Sequence, residues 1–135
     1  MSPILIDTNA YGLVRRGDER AIAVIRNAQS IGLSTIVIGE LLAGFACGSQ
    51  YRRNIAELYE FIASPAVEIL PVDHDTAVSY SEIYAQLRVA GKPIPTNDLW
   101  LAATAKQHGL AVFTYDKHFA LIPDIHSGSS VEEIG

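Results

Sequence analysis

A short apolar run that ends in a carboxylate places the strongest constraint on the fold of this chain. Ile4, Leu5 and Ile6 follow one another near the N-terminus, and Asp7 comes directly after them. Such an uninterrupted apolar run, rich in β-branched residues, is typical of a strand buried on both faces of a parallel sheet. We therefore predict a central strand with Asp7 at its carboxyl end, where ligands bind in open α/β sheets. On this stretch alone, Asp7 is equally well explained as the cap of the helix that follows.

Strand and helix patterns then alternate along the chain. Further strands are predicted at residues 33–37, 67–70 and 110–114, with a last short strand at 122–125. Helices are predicted at residues 9–16, 18–28, 38–45, 50–63, 73–90 and 96–108. This alternation predicts an α/β fold, in which a mostly parallel central sheet of about four to five strands has helices on both sides.

The length and composition favour one soluble domain. A chain of 135 residues has the usual length of a single domain, here residues 1–135, and residues 127–135 are typical of a mobile or partner-dependent tail. No segment approaches the ~20 consecutive apolar residues that cross a bilayer, so we expect a cytoplasmic protein. The net charge of −5 argues against a protein that coats nucleic acid through bulk positive charge. This negative charge is compatible with a nuclease, because divalent metal ions can neutralise an acidic pocket and let a phosphodiester enter it.

Four carboxylates are predicted to meet at the carboxyl edge of the sheet. Asp116 follows the strand at 110–114, just as Asp7 follows the first strand. Asp98 falls in the first turn of the helix at 96–108, and Glu40 in the first turn of the helix at 38–45. Taken alone, Glu40 is equally well explained as an exposed residue favoured by the helix dipole. The repetition of the pattern indicates a single acidic crevice.

An acidic crevice of this kind predicts a metal site. Neighbouring carboxylates raise one another's pKa, and a hard divalent cation relieves their repulsion. Because the cluster contains no predicted His or Cys ligand, its oxygen atoms favour Mg²⁺ or Mn²⁺ over zinc. The four histidines are scattered in helix-end and loop positions and are interpreted mainly as surface residues or caps. A metal held by carboxylates activates water for attack on phosphorus, so the predicted reaction is phosphodiester hydrolysis.

Four motifs follow one another along the chain. They are Ile6-Asp7-Thr8-Asn9, Glu40-Leu41-Leu42-Ala43-Gly44, Asn97-Asp98 before Leu101-Ala102-Ala103-Thr104-Ala105, and Thr114-Tyr115-Asp116-Lys117-His118-Phe119. Taken together and in this order, they resemble the motifs of PIN-domain ribonucleases, most closely those of the VapC toxins of toxin–antitoxin pairs. The resemblance extends over essentially the full chain. No single motif is specific, but the set is.

The resemblance implies an activity, a site and partners. The activity is that of an endoribonuclease toxin that uses Mg²⁺ or Mn²⁺. The family's acidic residues fall on Asp7, Glu40, Asp98 and Asp116, and the hydroxyls of Thr8 and Thr114 are expected to support them. The expected partners are RNA, a second copy of the chain in a homodimer, and a VapB-like antitoxin that blocks the acidic pocket.

Two other functions are compatible with carboxylates at strand ends. The first is a catalytically silent module that uses the same fold to bind a partner. The second is an Asp-based phosphotransfer or phosphatase domain. The haloacid-dehalogenase form of that domain needs a second Asp two residues after the first, and this chain has Asn9 there. Receiver domains need paired acidic residues near the N-terminus.

Overall fold

The strand directly before Asp7 forms the centre of a parallel sheet. A computed structural model describes residues 2–134, and in it β1 is Ile4–Ile6. The other strands are β2 (Ile31–Ser34), β3 (Val67–Leu70), β4 (Ala111–Phe113) and β5 (Ser127–Gly128). Their order is β3-β2-β1-β4-β5, and each neighbouring pair is parallel. The predicted α/β class and parallel sheet are confirmed.

Seven α-helices and one 3₁₀ helix flank the sheet within residues 2–134. They are α1 (Thr8–Arg15), α2 (Glu19–Asn27), α3 (Thr35–Ala46), α4 (Tyr51–Ile62), α5 (His74–Ala90), α6 (Thr96–His108), the 3₁₀ helix (Lys117–Leu121) and α7 (Val131–Ile134). Asp7, Asp18 and Asp73 cap α1, α2 and α5 by accepting backbone N–H groups. None of the helices in this part of the chain has the length and apolarity needed to cross a membrane.

The two central strands hold the functional edge in place. Ile4, Leu5 and Ile6 have no exposed surface, and Phe113 at the end of β4 is also fully buried. Ile6 pairs with Phe113 in the register of β1 and β4, and the N–H of Asp7 donates to the carbonyl of Phe113 at 3.1 Å. β1 and β4 therefore end side by side in a closely packed core, and the residues that follow them start next to each other.

The predicted boundary between β2 and α3 is wrong. The sequence places a strand at 33–37 and a helix at 38–45, but β2 ends at Ser34 and α3 begins at Thr35. The hydroxyl of Ser34 accepts the N–H of Ile36 at 3.0 Å, and this cap starts the helix within the β-branched run. Glu40 consequently lies in the second turn of its helix, not in the first.

The C-terminal segment also differs from the prediction. The strand predicted at 122–125 is wrong, since the last strand is β5 at Ser127–Gly128. Residues 127–134, predicted as a tail, form β5 and α7, and α7 packs against α2 and β4. The side chain of Ile134 is almost fully buried. Met1 and the last residue of the predicted tail, Gly135, lie outside the described residues.

Candidate active site

The four predicted carboxylates lie in one region at the carboxyl edge of the sheet. Asp7 follows β1 and Asp116 follows the neighbouring strand β4, while α6 brings Asp98 and α3 brings Glu40. The carboxyl group of Asp7 is close enough to those of Asp98 and Asp116 for their charges to raise its pKa. Asp116 and Glu40 act on the pKa of Asp98 in the same way. The region therefore concentrates negative charge.

Asp7 is the most enclosed of these carboxylates. Its exposed fraction is 5%, and its Oδ1 accepts the N–H of Ala10 at 2.8 Å. Burial raises the pKa of Asp7 to about 6, because the charged form loses hydration. The hydrogen bonds from Thr114 and Ala10 oppose this rise, and the charges of Asp98 and Asp116 add to it. Asp7 thus both caps α1 and contributes to the acidic region.

Thr114 connects the ends of the two central strands. Its hydroxyl donates a hydrogen bond to Oδ2 of Asp7 and accepts the N–H of Asp116 at 2.9 Å. With Ala10 on the other oxygen, both oxygens of Asp7 have donors within the protein. The orientation of Asp7 is therefore fixed by the fold, and the backbone of Asp116 is held by the same Thr114 hydroxyl.

Asp98, Asp116 and His118 form a compact group of potential metal ligands. One ligand atom from each residue lies within 4.8 Å of the others. Nδ1 of His118 hydrogen-bonds Oδ2 of Asp98 at 3.0 Å and lies 3.0 Å from Oδ1 of Asp116. Burial raises the pKa of Asp98, while its hydrogen bond with His118 lowers it. The same hydrogen bond raises the pKa of His118, since it stabilises the imidazolium form.

Glu40 is held separately from this compact group. Thr8 donates its hydroxyl to Oε1 of Glu40 at 2.7 Å, and Nδ2 of Asn97 donates to Oε2 at 3.2 Å. Both carboxylate oxygens are therefore oriented by neighbouring side chains. Thr8 supports Glu40 and Thr114 supports Asp7, so each of the two hydroxyls expected near the site is bonded to a carboxylate.

The sequence interpretation missed two residues of this region. The sequence indicates a surface or capping role for His118 and predicts an acidic cluster without histidine, and the 3.0 Å contacts of His118 contradict the second prediction. Asn97 belongs to one of the sequence motifs, but the sequence predicts no contact for it. Both residues stand within two positions of a predicted carboxylate, Asp116 or Asp98. That proximity is the sequence signal that points to them.

This donor set fits a divalent cation. Carboxylate oxygens are the preferred ligands of Mg²⁺ and Mn²⁺, and imidazole nitrogen is a common ligand of transition metals. Asp98, Asp116 and His118 already bring such atoms within reach of one another, and the buried Asp7 lies beside them. Burial is the main cause of the raised pKa values of Asp7 and Asp98, and the charges of the neighbouring carboxylates add to it.

The fold and this arrangement define a PIN domain. The family model for the PIN domain matches residues 4–125, and the chain belongs to that family. The VapC ribonuclease Y4jK of Sinorhizobium fredii is 35% identical over 121 residues, and the match covers 84% of this chain and 86% of that protein. The toxin FitB of Neisseria gonorrhoeae is also 35% identical over 121 residues, covering 84% and 87% of the two chains.

Solved structures lead to the same family. The DNA-bound VapBC of Salmonella typhimurium superposes with a TM-score of 0.82 at 27% identity, covering 95% of this chain and 98% of that chain. VapBC-5 of Mycobacterium tuberculosis, a member of the VapBC family of toxin-antitoxin systems, superposes with a TM-score of 0.72 at 26% identity, covering 93% and 95%. The predicted resemblance is confirmed, and membership of the PIN family leaves the phosphotransfer alternative without support.

Proposed function

We propose that this chain is a metal-dependent endoribonuclease and the toxin of a toxin–antitoxin pair. The observation that carries the proposal is the convergence of Asp7, Asp98 and Asp116 beside His118 at the carboxyl edge of the sheet. Its relatives include proteins named VapC ribonuclease and toxin. A pocket with this charge takes a phosphodiester only when cations neutralise it, which ties the activity to metal binding.

Asp98 and Asp116 are the residues that would hold the metal most directly, with Asp7 beside them. Thr8 and Asn97 each donate a hydrogen bond to one carboxylate oxygen of Glu40, which fixes its orientation. From this position Glu40 would bind the metal directly or through a water molecule. When bound, Mg²⁺ or Mn²⁺ supplies charge neutralisation and lowers the pKa of a coordinated water. This assignment keeps the four acidic residues predicted from the sequence.

The protein's own contribution is to fix these groups before RNA arrives. Thr114 and the N–H of Ala10 hold the carboxylate of Asp7, and Thr114 also holds the backbone of Asp116. Asp98 lies in the first turn of α6, where the helix dipole favours its negative charge. Rigid placement of this kind avoids reorganisation during the reaction.

The partners follow from the relatives. Single chains from VapBC structures superpose on most of this chain, which supports a VapB-like antitoxin as the protein partner. We also propose a homodimer, as the family resemblance implies. The substrate is RNA, and the protein would meet it in the cytoplasm.

The decisive test is cleavage of total cellular RNA by purified, antitoxin-free protein. We expect discrete fragments with Mg²⁺ or Mn²⁺, and none with a chelator or with Asp98→Asn. Asp75→Asn is the matched control, because Asp75 is an exposed carboxylate in the first turn of another helix, α5. It should cleave as the wild type does.

Two results would contradict the proposal. Equal cleavage by the wild type and Asp98→Asn would show that the cleavage does not depend on the proposed metal site. Metal binding without cleavage of any RNA in the total pool would favour the silent binding module.

A further inference from the structure

The imidazole of His118 contacts two carboxylates, and a single proton on Nδ1 cannot form a good hydrogen bond to both of them. Its Nδ1 hydrogen-bonds Oδ2 of Asp98 at 3.0 Å, and Oδ1 of Asp116 lies at the same distance. Nδ1 carries at most one hydrogen, and a single N–H points well at only one acceptor. The contact with Asp116 is therefore not accounted for by the hydrogen bond to Asp98.

A single cation bound by all three atoms accounts for both distances. Neighbouring ligands of an octahedral ion lie about 3 Å apart, since each is about 2.1 Å from the metal at right angles to the next. Both contacts of Nδ1 have that length. The neutral imidazole then offers the Nδ1 lone pair to the cation and keeps its proton on Nε2.

The local fold holds His118 in this position. Asp116 caps the 3₁₀ helix, and its Oδ1 accepts the backbone N–H of His118 at 2.9 Å. The next residue, Phe119, has no exposed surface and anchors the turn in the core. The same short turn thus supplies a carboxylate ligand and an imidazole two residues apart.

We propose that Nδ1 of His118 is a metal ligand and that it makes the site prefer Mn²⁺ to Mg²⁺. The inference rests on the metal site of the proposed function and specifies its selectivity. Mg²⁺ takes oxygen ligands almost exclusively, whereas affinity for nitrogen ligands rises from Mn²⁺ along the first transition series. Asp98 and Asp116 alone supply oxygen and would not distinguish the two ions in this way.

The test compares metal binding by four forms of the full chain. Calorimetric titrations with Mg²⁺ and with Mn²⁺ are made on the wild type, His118→Asn, His74→Asn and Asp98→Asn. We expect His118→Asn to lose at least about 10-fold in Mn²⁺ affinity, which is the lower end of the cost of removing a residue that supports a metal ligand, with a much smaller change for Mg²⁺. His74 is exposed at the start of α5, so His74→Asn should bind both ions as the wild type does.

A spectroscopic measurement on the wild type makes the test independent of whether His118→Asn folds. Pulsed electron paramagnetic resonance of bound Mn²⁺ should detect coupling to a directly bound ¹⁴N nucleus. The coupling should persist in His74→Asn. Where His118→Asn folds, the same measurement should show no ¹⁴N coupling.

The possible results separate this inference from the proposed function. Loss of Mn²⁺ preference together with loss of the ¹⁴N coupling supports His118 as a ligand. Mn²⁺ bound without ¹⁴N coupling in the wild type overturns the inference and leaves a carboxylate-only nuclease site. No binding of either cation by the wild type overturns both the inference and the proposed metal dependence.

Discussion

The hydroxyl of Thr114, directly after β4, donates a hydrogen bond to Oδ2 of Asp7, directly after β1, although the two residues lie 107 positions apart in the chain. The bond joins the ends of the two central strands and satisfies a carboxylate oxygen that has little access to water. The same hydroxyl accepts the N–H of Asp116 at 2.9 Å. Thr114 is therefore a positioning residue for two carboxylates of the site.

The first prediction concerns this hydroxyl. Thr114→Val keeps the shape of the side chain but leaves Oδ2 of Asp7 without its donor, which costs about 1–3 kcal/mol in the free energy of unfolding. The pKa of Asp7 should rise further, because the Thr114 hydrogen bond lowers it. Urea unfolding measures the loss of stability, and the pH dependence of unfolding measures the rise in the pKa of Asp7. Thr114→Ser retains the hydroxyl and should restore both; a serine variant no better than valine would contradict the assigned role.

The second prediction is a pH dependence of stability caused by Asp7. Its pKa is about 6 in the folded protein, against 3.8 for an unperturbed Asp. Between these pH values the unfolded chain releases the proton and the folded protein retains it, so the free energy of unfolding falls as pH rises. A shift of about two pKa units corresponds to about 3 kcal/mol.

Asp7→Asn isolates this contribution. The stability difference between Asp7→Asn and the wild type should move in favour of the variant from about pH 4 to about pH 6, and then stay constant. Unfolding is measured in chelator, and subtraction of the wild-type curve removes the titration of the other carboxylates. A difference that does not change with pH would show that the pKa of Asp7 is not raised.

The third prediction concerns metal and stability. A cation that binds only the folded state stabilises it by about 2.7 kcal/mol at a concentration of 100 times Kd. Mg²⁺ or Mn²⁺ should therefore raise the melting temperature of the wild type, and a chelator should reverse the rise. Asp75→Asn should respond equally and Asp98→Asn should not. An equal rise in Asp98→Asn would place metal binding elsewhere.

The fourth prediction tests how Glu40 is oriented. Thr8→Val removes the 2.7 Å hydrogen bond to Oε1 and leaves the weaker contact from Asn97. RNA cleavage should fall, while the free energy of unfolding changes by only about 1 kcal/mol because the bond is partly exposed. Thr8→Ser should recover most of the cleavage. Full activity of Thr8→Val would mean that the bond is dispensable.

Local sequence patterns predicted the elements that supply the carboxylates. The strand at Val67–Leu70 has the predicted bounds, and β1 ends directly before Asp7 as expected, because these runs are bounded by clear turn or cap residues. The start of α3 was misplaced, since Thr35, Ile36 and Val37 are β-branched or apolar and only the Ser34 cap identifies a helix there.

Local sequence patterns could not predict the contact between His118 and Asp98. The two residues are 20 positions apart, and their contact depends on how α6 and the 3₁₀ helix pack at the sheet edge. The sequence around His118 favours a surface or capping role, as it does for the other three histidines. Tertiary packing overrides this local pattern.

The last prediction tests the C-terminal segment, where the sequence indicated a tail. Ile134 has an exposed fraction of 1% in a helix that packs against α2 and β4. Ile134→Ala should therefore lower the free energy of unfolding by about 2–5 kcal/mol, through lost burial and the cavity it leaves. Glu132→Ala is the control on the exposed side of the same helix and should change stability by less than about 0.5 kcal/mol. Equal, small effects of both substitutions would show that Ile134 is not packed in the folded protein, as expected for a mobile tail, because an unburied side chain loses no packing when it is shortened.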